Sequence, residues 1–152
     1  MTGPRGAVGV VDDFLHALAE ADLDRAARLL DDDLLYQNVG LPSIRTSRRT
    51  IALFRRFVRV GRFDVVVHRA TGDPTGTVMN ERTDLVAFGP FVMTFWVCGV
   101  FEVRDGRITL WRDYFDFLTM ATATGRAVLG VVVPSRRPAL PAAQSTSTTT
   151  GA

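Results

Sequence analysis

The chain contains no lysine: all 18 of its basic residues are arginines. Arginine stays charged at any accessible pH, so a sequence pI of about 9.3 accompanies a formal net charge of only +2 and does not describe a polybasic protein. Cysteine is almost as scarce. A lone Cys98 excludes an internal disulfide framework and any site built from several thiolates of one chain. Lying in an apolar run, it is expected to be a small core residue. Histidine occurs twice. His16 falls off the apolar stripe of its segment and His68 sits in a β-like run, so neither is assigned chemistry. No apolar run is long enough to span a membrane, and residues 1–6 lack the apolar stretch of a secretion signal. Membrane insertion is therefore not expected, and a soluble, cytoplasmic location is. Phosphate loops, nucleophile elbows and zinc patterns are also missing, so no cofactor and no metal are expected.

What is present fits one domain: 152 residues, 47% of them hydrophobic, without an internal repeat. That domain is expected over residues 7–133, before a low-complexity tail over 134–152 that is expected to be disordered. Val10, Val11, Phe14, Leu15 and Leu18 recur at helical spacing and predict a helix over residues 7–20. Asp22 can cap a second, short helix reaching residue 30. Asp31, Asp32 and Asp33 read as a solvated loop, and residues 34–39 as a short strand stopped by Gly40 and Pro42. Ser47 is the expected N-cap of a third helix running to residue 60 and closed by Gly61. From residue 63 the period changes from helical to two. Residues 63–70, 77–88, 91–103 and 107–117 read as successive strands, with Asp105-Gly106 the strongest hairpin signal. Helices followed by an antiparallel meander make an α+β order, not a βαβ alternation. Residues 117–133 predict a short helix and then an apolar segment. The arginines between residues 45 and 62 read as a solvated helix face; without aromatic interleaving, no nucleic-acid partner is expected.

Two of these strands carry charge where a core would want Val or Ile: Glu81-Arg82-Thr83-Asp84 and Trp111-Arg112-Asp113-Tyr114-Phe115-Asp116. Side chains two apart on a strand share a face. Arg82 is thereby grouped with Asp84, and Asp113 with Trp111 and Phe115. Glu81 and Arg112 alternate away, and Asp116 fits a structural role better. Tyr36 and Asn38 also share a face. If Arg82, Asp84 and Asp113 turn inward together, one guanidinium can hold two carboxylates and lower the cost of burying them. Neighbouring carboxylates do not both ionise readily, so one keeps a proton. A general acid and a general base then coexist at neutral pH without metal or histidine. The Tyr36 hydroxyl and Asn38 amide could fix a water beside the ionised member. A purely structural cross-strand ion pair, with Tyr36 in the core, fits the spacing as well.

In this order, Tyr36-Gln37-Asn38, Glu81-Arg82-Thr83-Asp84 and the segment 111–116 resemble the motifs of limonene-1,2-epoxide hydrolases, especially their mycobacterial relatives, over residues 10–117. The resemblance implies a cystatin-like, NTF2-like cone: a strongly curved, mostly antiparallel mixed sheet with N-terminal helices closing a deep apolar pocket. It also implies a homodimer packed through the sheet. The implied reaction adds water to a hydrophobic small-molecule epoxide in one step, giving a vicinal diol. Asp113 would be the base, acting on a water also held by Tyr36 and Asn38. Asp84 would be the acid toward the epoxide oxygen, and Arg82 would bridge the aspartates. Trp111, Phe115, Val97, Phe101, Leu53 and Phe57 are expected to line the pocket. Same-fold alternatives are a ketosteroid-isomerase-like enzyme, an epoxide-opening cyclase and a non-catalytic small-molecule binding module. The isomerase has no use for a bridged aspartate pair, the cyclase none for a held water, and a binding module usually loses the polar residues retained here.

Overall fold

Two N-terminal helices form where the apolar spacing predicts them. In the computed structural model, which describes residues 6–142, α1 (Ala7–Ala19) buries Val11, Phe14, Leu15 and Leu18 along one face. The shorter α2 (Leu23–Arg28) is capped by Asp22, whose carboxylate accepts from the Arg25 backbone N–H at 3.0 Å. Strand β1 (Leu30–Asn38) starts earlier than expected and takes in Asp31, Asp32 and Asp33. Leu30 and Leu34 are both buried, and the pairing slips between Leu30 and Leu35. The irregularity lets Asp32 and Asp33 stay exposed in a segment anchored at both ends. An unforeseen two-residue strand, β2 (Ile44–Arg45), pairs antiparallel with Leu35 and Tyr36. The third helix, α3 (Ser47–Phe57), is capped by Thr46 rather than Ser47, Thr46 accepting from the Arg49 N–H at 3.4 Å. It stops short of residue 60, and the Val60 and Gly61 N–H groups both bond the Phe57 carbonyl, at 3.0 and 2.8 Å, closing the turn that leads into the sheet.

Strands β3 (Arg62–Gly72), β4 (Thr77–Phe88), β5 (Phe91–Arg104) and β6 (Arg107–Tyr114) follow. The last ends at Tyr114, not residue 117, so Phe115 lies beyond the strand. Asp105 and Gly106, with φ of +50° and +75°, make the hairpin turn that a primed geometry requires. The six strands lie in the order β2-β1-β6-β5-β4-β3. Only β1 and β6 run parallel, so the sheet is mixed and mostly antiparallel, as expected. Helix α1 packs across its inner face, and Phe14 meets Trp111 edge-on at 5.0 Å between ring centroids.

Residues 117–132 form one helix, α4 (Phe117–Val132), where a short helix and an apolar segment were expected. Asp116 caps it, accepting from the Leu118 N–H at 3.0 Å and the Thr119 hydroxyl at 3.0 Å. Pairing of β5 with β6 covers only Cys98–Arg104, which leaves the first half of β5 without a strand on that side. α4 packs there, its Thr124 hydroxyl 3.6 Å from Met93 Sδ. A 3₁₀ turn (Pro134–Arg136) follows. Most of the tail expected to be disordered, residues 143–152, and the chain start, residues 1–5, lie outside the described residues.

Alternation on β5 also moves Cys98. Val97, Gly99 and Phe101 are buried, and Cys98 between them is exposed on the outer face, not a core residue. On that face His68 Nε2 lies 2.8 Å from the Thr83 hydroxyl and the imidazole stacks on Trp96, in keeping with a structural histidine. Among the described residues no helix is long and apolar enough to cross a membrane.

Candidate active site

Strand register brings the charged residues together. Asn38 pairs with Asp113, Asp113 with Gly99, and Gly99 with Asn80, in one row across β1, β6, β5 and β4. Two residues along on one side, Tyr36 pairs with Trp111 and Trp111 with Phe101. Two along on the other, Arg82 pairs with Val97. Arg82 is 0% exposed, Asp84 5% and Asp113 4%. The guanidinium donates from Nε to Asp84 Oδ1 at 2.8 Å and from Nη2 to Asp84 Oδ2 at 3.1 Å. Nη2 also donates to Asp113 Oδ2 at 2.8 Å, and Nη1 to Asn80 Oδ1 at 3.2 Å. Space for this arrangement comes from Gly99, where a Cβ would overlap both Arg82 Nη1 and Asn80 Oδ1. Asp113 Oδ1 and Trp111 Nε1 are buried and have no protein hydrogen-bond partner among the described residues; such atoms are rare and point to a site where water or ligand completes the bonding.

Burial pushes the Asp84 carboxyl up to about 6, against the opposing charge and hydrogen bonds of Arg82, and the Asp113 charge adds to the rise. For Arg82 burial disfavours the cation, yet Asp113 and Asp84 more than offset it and raise its pKa. Tyr36 is held well above the ordinary phenol range, chiefly by burial and then by the Asp113 charge, while Asn38 and Arg82 oppose this. Its hydroxyl therefore stays protonated.

Tyr36, Asn38, Asp84 and Asp113 form the polar wall of a cavity of about 320 Å³. Of the residues expected to line it, Trp111, Phe115, Val97, Leu53 and Phe57 do so. Leu53 is half-exposed and sits at the mouth. Phe101 does not line the cavity: it is 0% exposed and stacks 6.3 Å from Trp111, its neighbour across the strands. Arg82 lies behind its two aspartates rather than at the surface of the cavity. Leu41, Phe54, Phe63, Val86, Phe95 and Met120 also line it and were missed. Val86 and Phe95 share the inward parity of Asp84 and Val97 and could have been found that way; Leu41 and Met120 gave no such signal. A larger cleft, about 550 Å³, runs between α2 and α3, but it is open and charged, with Arg55 and Asp24 paired at 2.6 Å.

The limonene-1,2-epoxide hydrolase catalytic domain family matches residues 5–126. Epoxide hydrolase EphG of Mycobacterium tuberculosis is 50% identical over 131 residues, covering 86% of this chain and 87% of that protein. A solved M. tuberculosis LEH-like epoxide hydrolase superposes with a TM-score of 0.85 at 48% identity, covering 88% of this chain and 95% of that one. A putative polyketide cyclase from Xanthomonas campestris pv. campestris has a TM-score of 0.70 at 18% identity, over 78% of this chain and 96% of that one, and shares the fold alone. The NTF2-like fold expected from the sequence is thus the one observed. Since the matched domain contains all three motifs, and half the aligned residues are identical to a relative across most of both chains, the protein belongs to the limonene-1,2-epoxide hydrolase family.

Proposed function

We propose that this epoxide hydrolase adds water to an apolar epoxide in a single step, with Asp113 as base and Asp84 as acid. The carrying observation is the buried Asp84–Arg82–Asp113 bridge at the wall of an otherwise apolar cavity. The two aspartates are not equivalent. Asp113 keeps one oxygen without a protein partner, as an acceptor for a water proton needs. Asp84, pushed up to about 6, keeps a proton at pH values where an ordinary aspartate has already lost it, as an acid needs. When water attacks an epoxide carbon, the new C–O bond forms as the strained one breaks. The water proton passes to Asp113 and the Asp84 proton to the departing oxygen, which yields a vicinal diol. A proton then returns from Asp113 to Asp84 through solvent, with no net change in the protein. Tyr36, neutral, and Asn38, beside Asp113 in register, are suited to hold the attacking water. Ring strain drives the opening, so positioning and two proton transfers suffice.

Besides Tyr36, eleven apolar or aromatic side chains in the cavity lining favour a hydrophobic epoxide. On the outer face of the sheet, exposed Met79, Trp96 and Tyr114 support a homodimer packed through that face. Styrene oxide and limonene oxide are the first substrates to try, with diol analysis. Asp84→Asn and Asp113→Asn should each lower turnover by ~10²–10⁴-fold while circular dichroism stays unchanged; substantial activity in either variant rejects the roles assigned. In a single turnover in heavy-oxygen water the label should enter only the diol, and label in the protein would contradict direct water attack.

A further inference from the structure

Asp84 holds Nε and Nη2 of Arg82 and Asp113 holds Nη2, which leaves the far end of the guanidinium, Nη1, to be matched inside a buried site. Asn80 matches it. It is 6% exposed, and its Oδ1 accepts from Arg82 Nη1 at 3.2 Å. Arginine only donates, so the atom facing Nη1 must be the amide oxygen. In the strand row Asn80 and Asp113 flank Gly99 from opposite sides. Gly99 has no side chain to fill the space between them, and Arg82 Nη1 occupies it.

We infer that Asn80 is a positioning residue for the Asp84–Arg82–Asp113 bridge: its side-chain carbonyl anchors Nη1, the end of the guanidinium that neither aspartate holds, and so keeps Nη2 within reach of Asp113. Asn80 does not line the cavity and acts through Arg82 rather than on substrate. The residue type follows from the surroundings. An apolar side chain would leave a buried N–H unmatched. A carboxylate would match it, but would place a third negative charge beside a single arginine and push Asp84 up further. An amide accepts without adding charge.

Resting on the acid–base reading of this site, the test compares Asn80→Leu and Asn80→Asp with wild type on styrene oxide across pH. Asn80→Leu should lower kcat by about 10²-fold with KM within about twofold. Asn80→Asp keeps the acceptor, so it should retain most of kcat at low pH while its alkaline limb moves up by about one pH unit. An activity-independent readout is the Arg82 Nε–H resonance in ¹⁵N-labelled protein. It should be protected from solvent exchange in wild type and Asn80→Asp, and broadened or lost in Asn80→Leu. Wild type inactive on every epoxide would sink the proposed function, yet this resonance would still report on Asn80. Near-wild-type kcat in Asn80→Leu with an unchanged Arg82 resonance overturns the inference, as does a loss carried mainly by KM. If Asn80→Leu does not fold, Asn80→Asp decides, and an unshifted alkaline limb overturns it.

Discussion

Replacing Arg82 by methionine keeps most of the side-chain volume and removes the only positive charge, among the described residues, within hydrogen-bonding reach of Asp84 and Asp113. Removing one partner of a buried ion pair costs about 3–5 kcal/mol, which in a domain of this size lowers Tm by roughly 10–20 °C. The loss must depend on pH, and its sign follows from Asp84. In wild type the folded-state value of about 6 lies above the unfolded value of about 3.9. Neutral Asp84 therefore favours the fold at low pH, and about 3 kcal/mol of that is lost as pH rises from 4 to 6. Without Arg82 the opposing cation is gone, the folded-state value moves higher, and the loss continues above pH 6. Urea denaturation of wild type and Arg82→Met at pH 5, 6.5 and 8 measures this. The stability gap should be smallest at pH 5 and widen toward pH 8 with unchanged m-values. A gap that is constant with pH, or below 1 kcal/mol at pH 8, would refute a role for Arg82 in neutralising buried carboxylates.

Two further outcomes follow from the same geometry. If Asp84 is the acid, kcat for styrene oxide should fall with rising pH through a limb near its value of about 6, approaching tenfold per unit above it; a rate flat to pH 9 would remove Asp84 from that role. Phe101→Ala should destabilise the protein by about 3–5 kcal/mol and leave KM within twofold, because Phe101 is core and not cavity wall; a large rise in KM in folded protein would place it in the pocket after all.

Strand parity carried most of what was legible in the sequence. It grouped Arg82 with Asp84 and Asp113 with Trp111, and sent Glu81 outward, where it meets Arg69 at 2.8 Å. The resemblance implied a pocket position for Phe101, which shares the inward parity of Val97 but lies two rows along, buried beside Trp111 and away from the cavity. Applied consistently, parity would also have put Cys98 outside. Neighbours across the sheet are a matter of register, and no local pattern in the sequence reveals that Asn80, Gly99 and Asp113 share a row. The expected break in α4 came from Gly125 and Gly130, each about 1 kcal/mol worse than alanine in a helix. Packing outweighed that: Ala123, Ala127 and Gly130 are buried, and at Gly130 a Cβ would lie 3.1 Å from the Arg137 Cα.

The charge balance of the bridge links stability to the proposed chemistry. Arg82 carries one positive charge and touches two carboxylates. With both ionised, a net negative charge is buried; with one protonated, the cluster is neutral. Asp84 is the member whose value is driven up to about 6, burial being the largest cause, and Asp113 keeps the free oxygen. The protonation state that is cheapest to bury is therefore also the one the proposed reaction requires, with the proton on Asp84 and Asp113 ionised. The same titration sets both pH dependences: the stability that neutral Asp84 contributes is lost between about pH 4 and 6, and activity should fall as pH rises past about 6.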